Sequence, residues 1–199
     1  MRGNQVIAGD SRRGVDSFGV ERAGDWMQMN SGIAFWPLDP RPAEVLIEDI
    51  AHSLSLLCRF GGHCRSFYSV AEHSVHVSRL CPPEHRLWGL LHDASEAYVI
   101  DMPRPLKRCL PDYGVIEDRV HRSVAARFDL SPEIPASVKQ ADEAMLLAEA
   151  WQLMTIPPLG WSEAMGGVAP ADVQVECLSP EAACSAFLHE FHVLMAARG

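Results

Sequence analysis

Four polar positions stand out in the chain as candidates for chemistry: His73, the adjacent pair His92-Asp93, and Asp142. His92-Asp93 follows Leu87, Trp88, Leu90 and Leu91, an apolar run that has to be largely buried. An imidazole and a carboxylate are costly to bury there unless they are paired or hold a metal ion. Asp142 lies just ahead of the apolar Met145-Leu146-Leu147. Two imidazoles and two carboxylates make a borderline-hard nitrogen and oxygen donor set. Such a set suits Zn²⁺, Mn²⁺, Co²⁺ or Fe²⁺, with water completing the shell. Glu96 is three residues after Asp93 and four after His92, so on a helix it projects from the same face. Taken singly, each residue also has an ordinary reading, as a hydrogen-bonded core histidine or a solvated aspartate. The surrounding sequence has to decide.

These side chains need helices to hold them. Leu46, Ile50, Leu54 and Leu57 recur at three- and four-residue spacing, which predicts a helix around 46–58. Ser69-Val70-Ala71-Glu72 has the pattern of a capping box, Ser69 satisfying early N–H groups and Glu72 reaching back. A helix therefore opens there and runs to about Leu80, with His73 in its first turn. Pro82-Pro83 starts another, expected to continue through LWGLLHDASEAY to the loop before Pro103. Further helices fit 112–128, the stretch from Pro135 to about Met154, and a last one from Ser179-Pro180 to near Ala197. The Pro/Gly-rich stretch 156–170 reads as a loop. GIAFWPLDPRP at 32–42 reads as a strand or hairpin edge, since its prolines exclude a helix interior. Residues 1–30 lack periodicity and read as a flexible arm ahead of one domain, 31–199. The expected fold is all-α, a bundle of about six helices with a short N-terminal hairpin.

Composition narrows the function. With 199 residues, 48% apolar and 22% charged, the chain can build one real core. No stretch approaches the roughly 18 apolar residues of a membrane helix, and the N-terminus lacks an apolar run resembling a signal peptide. The six cysteines are scattered without a CxxC pair, which reads as reduced thiols in the cytoplasm rather than a disulfide frame or zinc knuckle. A net charge of −9 argues against a nucleic-acid polymer as partner. The segment 59–127 alone is net positive, with 10 basic and 8 acidic residues. That suits a small anionic ligand in a pocket, or else an ordinary arginine-bearing helical surface.

The stretches FYSVAEHS (67–74), HDASEAYVIDMPRPLK (92–107) and KQAD (139–142) occur in this order. Together they resemble the HD-domain phosphohydrolase superfamily, whose ligand pattern is H…HD…D. The likeness is greater to bacterial 5′-deoxynucleotidases and their phage-borne relatives, including dATP triphosphohydrolases. It covers roughly residues 32–155. The resemblance implies that His73, His92, Asp93 and Asp142 ligate one divalent ion, whether Zn, Mn, Co, Fe or Mg. HDASEAY lacks the extra histidines of two-metal relatives. It further implies that Glu96 orients the attacking water and that Asp101 is a catalytic acid or base. Arg59 would contact the substrate phosphate, Lys107 would be a second phosphate contact, and Phe60 would crowd a sugar 2′-hydroxyl. The implied protein is a homo-oligomer, in the cytoplasm or in a phage host's cytoplasm.

The implied reaction is hydrolysis of a deoxynucleotide at the α-phosphorus. It gives deoxynucleoside plus phosphate from a monophosphate, or plus triphosphate from a triphosphate. A non-catalytic nucleotide sensor and a cyclic-nucleotide phosphodiesterase are the competing readings. Other residues have plainer expectations. His76 serves at the surface or in support of the site, and His189 and His192 are an exposed pair. His63 and Arg65 lie near the pocket mouth, and Trp36, Trp88, Trp151 and Trp161 serve packing.

Overall fold

The computed structural model describes residues 13–156 and 168–198. Two small antiparallel hairpins come first, β1 (Arg13–Val15) with β2 (Glu21–Ala23) and β3 (Met27–Gln28) with β4 (Ala34–Phe35). The helices follow: α1 (Ile47–Leu56), α2 (Val70–Leu80), α3 (Arg86–Leu91), α4 (Glu96–Val99), α5 (Arg104–Lys107), α6 (Pro111–Arg127), α7 (Ala136–Leu153) and α8 (Pro180–Ala196). The protein is mostly helical, as the spacing of its apolar residues requires. No helix among the described residues is long and apolar enough to cross a membrane.

Helix α2 is the centre of the bundle, packed by α1, α3, α7 and α8. Every residue from Val70 to Ser78 is buried, including Glu72, His73, Ser74, His76 and Ser78. The hydroxyls are absorbed locally: Ser74 donates to the Val70 carbonyl and Ser78 to that of Arg86. Gly89 lets α3 come close, because a Cβ there would stand 2.9 Å from both Ser78 Cα and Cys81 Sγ. The missing side chain thus seats α3, and His92 at its end, directly against α2.

Three expectations change in three dimensions. Residues 13–30 are not an arm. Arg22 is fully buried; its guanidinium donates to Asp39 Oδ2 and Glu44 Oε1, both at 2.6 Å, and stacks over Trp36. A buried guanidinium is tolerated only with such compensation, and Asp39 and Glu44 lie too far along the chain to be paired with it by reading. Residues 1–12 lie outside the described residues, as does most of the expected 156–170 loop.

The helix expected to run from Pro83 to Tyr98 is broken. A 3₁₀ turn covers Pro83–His85, and the chain from His92 to Ser95 winds by i→i+3 bonds. Ala94 N–H donates to the Leu91 carbonyl, and Glu96 N–H to that of Asp93 at 2.9 Å. Three residues per turn eclipse positions i and i+3, so Asp93 and Glu96 share a face more closely than an α-helix would set them.

The capping box is only half made. Ser69 Oγ accepts from the Glu72 N–H at 3.1 Å, but the Glu72 carboxylate does not return to Ser69. It accepts three backbone N–H groups, from Glu176, Cys177 and Leu178, and so ties the segment before α8 to the central helix. Among the tryptophans, Trp36 and Trp88 are buried, Trp151 is exposed rather than in the core, and Trp161 lies outside the described residues.

Candidate metal centre

Helix α2 and the turn after α3 bring His73, His92 and Asp93 together, and α7 sets Asp142 beside the two histidines. His73 Nε2 and His92 Nε2 lie 3.3 Å apart. Asp93 Oδ2 is 3.2 Å from His92 Nε2 and 3.7 Å from His73 Nε2. Asp142 Oδ1 is 3.2 Å from His73 Nε2 and 3.9 Å from His92 Nε2. Both rings are held from behind. His92 Nδ1 donates to the Gly89 carbonyl at 2.8 Å, and His73 Nδ1 donates to Glu149 Oε1 at 2.6 Å. A carbonyl and a carboxylate can only accept, so the proton of each neutral ring sits on Nδ1 and the Nε2 lone pairs face inward.

Two lone pairs and carboxylate oxygens turned toward one point call for a cation. Their separations are those that donors about 2.0–2.2 Å from a common ion leave between themselves. His73, His92 and Asp93 can hold a metal ion. The electrostatics point the same way. Burial opposes charge on His92, but Asp93 overcomes it and the imidazole is pushed up to about 9. Burial likewise opposes charge on Asp93, yet the neighbouring His92 holds its carboxyl well below the usual range.

Glu149 is the residue that reading the sequence missed. It is fully buried on α7 and accepts from His73 Nδ1, from Tyr68 Oη at 2.8 Å, and from Arg59 Nε at 3.0 Å. Burial would neutralise it, but the charges of His73 and Arg59 keep its carboxyl below the ordinary range. The signal was present: a lone Glu in LLAEAW, seven residues and two helical turns after Asp142. Replacing Glu149 by alanine takes one of two carboxylates from the Arg59 guanidinium, leaves the buried Tyr68 hydroxyl without its acceptor and frees the His73 ring. The expected result is about 3–5 kcal/mol of lost stability and roughly 10–100-fold weaker metal binding. Thermal unfolding and metal titration check it, and unchanged metal affinity would mean that His73 needs no orienting partner.

Arg59 and Phe60 lie on the turn Arg59–Gly62. Arg59 N–H donates to the Tyr68 carbonyl, and its side chain reaches inward, with Nη1 3.6 Å from Asp93 Oδ2. Phe60 has φ 56°, a left-handed backbone unusual for a bulky residue, and its ring lies 5.7 Å from the Arg59 guanidinium. Arg65 does not face the cavity; its backbone N–H and guanidinium bond the Leu153 and Gln152 carbonyls at the end of α7. His63 does not line the cavity either. His76 is buried and faces Glu72, and His189 and His192 are exposed on α8.

A cavity of about 510 Å³ opens from His92 and Asp93 and is lined further by Glu96, Lys107, Arg122 and Lys139. Glu96 Oε2 is buried with no hydrogen-bond partner in the described protein. Burial, then the charges of Asp93 and Asp101, push the Glu96 carboxyl well above the carboxylate range. Asp101 does not line the cavity; it stands exposed on the loop after α4, within electrostatic reach of Arg59, Asp93 and Lys107. Lys107 lines the cavity, but its Nζ is taken by Glu117 Oε1 at 2.6 Å. Arg122 is likewise paired with Asp118. Lys139, one turn ahead of Asp142 on α7, forms no ion pair among the described residues.

No family model matches the chain. Two bacterial proteins do. The chain is 40% identical to the uncharacterized protein YfdR of Escherichia coli (strain K12), over 76% of this chain and 85% of that one. It is 35% identical to the uncharacterized protein RCAP_rcc00048 of Rhodobacter capsulatus, over 85% of this chain and 95% of that one. At that identity and coverage, the chain belongs to the family that includes YfdR and its Rhodobacter relative.

Proposed function

We propose that this protein is a metal-dependent phosphohydrolase of the HD-domain type, cleaving deoxynucleotides at the α-phosphorus. One observation carries the reading. The inward-facing His73, His92, Asp93 and Asp142 share a site with the inward-reaching Arg59, and the cavity leading from it is lined by Glu96, whose Oε2 is buried without a partner. The four would hold one divalent ion, whether Zn, Mn, Co, Fe or Mg. When bound, such an ion supplies Lewis-acid polarisation of the phosphoryl group and a lower pKa for the attacking water.

The chain's own residues do the rest. Arg59 offers a planar fork to phosphate oxygens, a geometry that lysine lacks. Glu96 positions the water through its free Oε2. Water adds to phosphorus, the P–O5′ bond breaks, and Asp101 delivers a proton to the departing O5′. Phe60, beside Arg59, crowds the sugar at its 2′ position. Lys107 and Arg122 are already neutralised by Glu117 and Asp118, leaving Lys139 to meet additional phosphate. That wall favours a monophosphate over a triphosphate. The site gives deoxynucleoside and phosphate.

The test is a panel of deoxy- and ribonucleoside mono-, di- and triphosphates and cyclic nucleotides with Mn²⁺, Co²⁺, Zn²⁺ and Mg²⁺, products separated by chromatography. Deoxynucleoside monophosphates are expected to be hydrolysed fastest, with Phe60→Ala narrowing the gap to ribonucleotides. Tight binding without turnover would instead make the protein a sensor. Hydrolysis of cyclic nucleotides alone would make it a phosphodiesterase.

A further inference from the structure

Cys58 and Cys64 stand at the two ends of the Arg59–Gly62 turn, and their Sγ atoms are 3.5 Å apart. Neither thiol lines the cavity, and the proposed hydrolysis uses neither. Both are half-buried, within reach of a small oxidant. Their approach is built into the backbone. Phe60, Gly61 and Gly62 have φ of 56°, 59° and 80°, and three successive left-handed residues curl the chain back on itself. Both flanks are pinned, Arg59 N–H to the Tyr68 carbonyl and Arg65 N–H to that of Leu153. A disulfide needs about 2.05 Å between the sulfurs, so closure is a contraction of roughly 1.5 Å.

We propose that Cys58 and Cys64 are a reversible oxidation site that closes to a disulfide under a peroxide. One S–S bond forms and the O–O bond of hydrogen peroxide breaks. The two thiols give up two protons and two electrons, and two waters leave. Cys58 attacks the peroxide and becomes the sulfenic acid; Cys64 then displaces water from it. Burial and the hydrogen bond with Cys58 hold the Cys64 thiol above its ordinary range, which disfavours Cys64 as the first thiolate. The contraction pulls on the segment that carries Arg59 and Phe60. Arg59 sits 3.0 Å from Glu149 and 3.6 Å from Asp93, so a small shift of this turn loosens the grip on substrate phosphate. That consequence rests on the hydrolase reading; the disulfide itself does not.

Trypsin provides the assay, because it cuts after Arg59, between the two cysteines. The full-length protein is treated with hydrogen peroxide, capped with maleimide, denatured and digested without reductant. The Cys58 fragment and fragment 60–65 are expected to remain joined, lighter by two hydrogens than their sum, and to separate with dithiothreitol. Cys177→Ser leaves the joined pair, and Cys64→Ser abolishes it. Recovery of both fragments capped, singly over-oxidised, or of Cys64 joined to Cys177 overturns the proposal. In the activity arm, oxidation raises KM for deoxynucleotide roughly tenfold in the parent and not in Cys58→Ser. A joined pair with unchanged KM overturns the link to Arg59. A protein that hydrolyses no nucleotide removes the hydrolase reading while the fragment assay still decides the disulfide.

Discussion

His92→Ala is expected to strip the protein of its divalent ion and abolish hydrolysis in the same step, and Asp93→Ala to do likewise. His92 Nε2 stands 3.3 Å from its counterpart on His73 and 3.2 Å from Asp93 Oδ2, so it closes one side of the donor set. Its ring is aimed by the Gly89 carbonyl, 2.8 Å from Nδ1. A set of four donors that loses one imidazole keeps too little affinity to compete with solvent at ordinary metal concentrations. In Asp93→Ala the loss is compounded, because Arg59 also loses a carboxylate partner. Metal content by elemental analysis is expected to fall from about one ion per chain to background, while circular dichroism keeps its helical signal. Full metal content together with normal turnover in either variant would remove these two residues from the centre.

Glu96→Ala separates catalysis from binding. Glu96 lines the cavity without belonging to the His73, His92 and Asp93 group, so the variant is expected to keep its metal and its nucleotide affinity. Turnover should fall by about 10²–10⁴-fold, the usual contribution of a positioned proton-transfer group. The effect belongs in kcat, not in KM, since Glu96 acts on the water and not on the ground-state substrate. Calorimetry should then detect intact deoxynucleotide bound to a nearly inactive protein. Equal rates in Glu96→Ala and the parent would exclude Glu96 from water activation and make Asp101 the carboxylate to test next.

Much of this protein was determined by local sequence. The apolar spacing of α1, the Pro135 opening of α7 and the Ser69 and Ser179 caps are local properties of short segments, and those helices lie where the signals put them. The candidate metal residues were legible through the order of FYSVAEHS, HDASEAYVIDMPRPLK and KQAD and the resemblance it carries, since taken singly each has an ordinary reading. Only the tertiary structure decided the supports. Arg22 looked like part of a free arm because its carboxylate partners, Asp39 and Glu44, are distant in the chain. Glu72 looked like a cap, and the backbone of 176–178 claimed it. Glu149 looked like one more helical glutamate, Lys107 like a free phosphate contact, and the His92–Ser95 stretch like continuous helix. Local propensity reports how a segment winds. The partner of a buried charge is set by which segments meet, and for His92 that meeting includes Gly89 letting α3 press against α2.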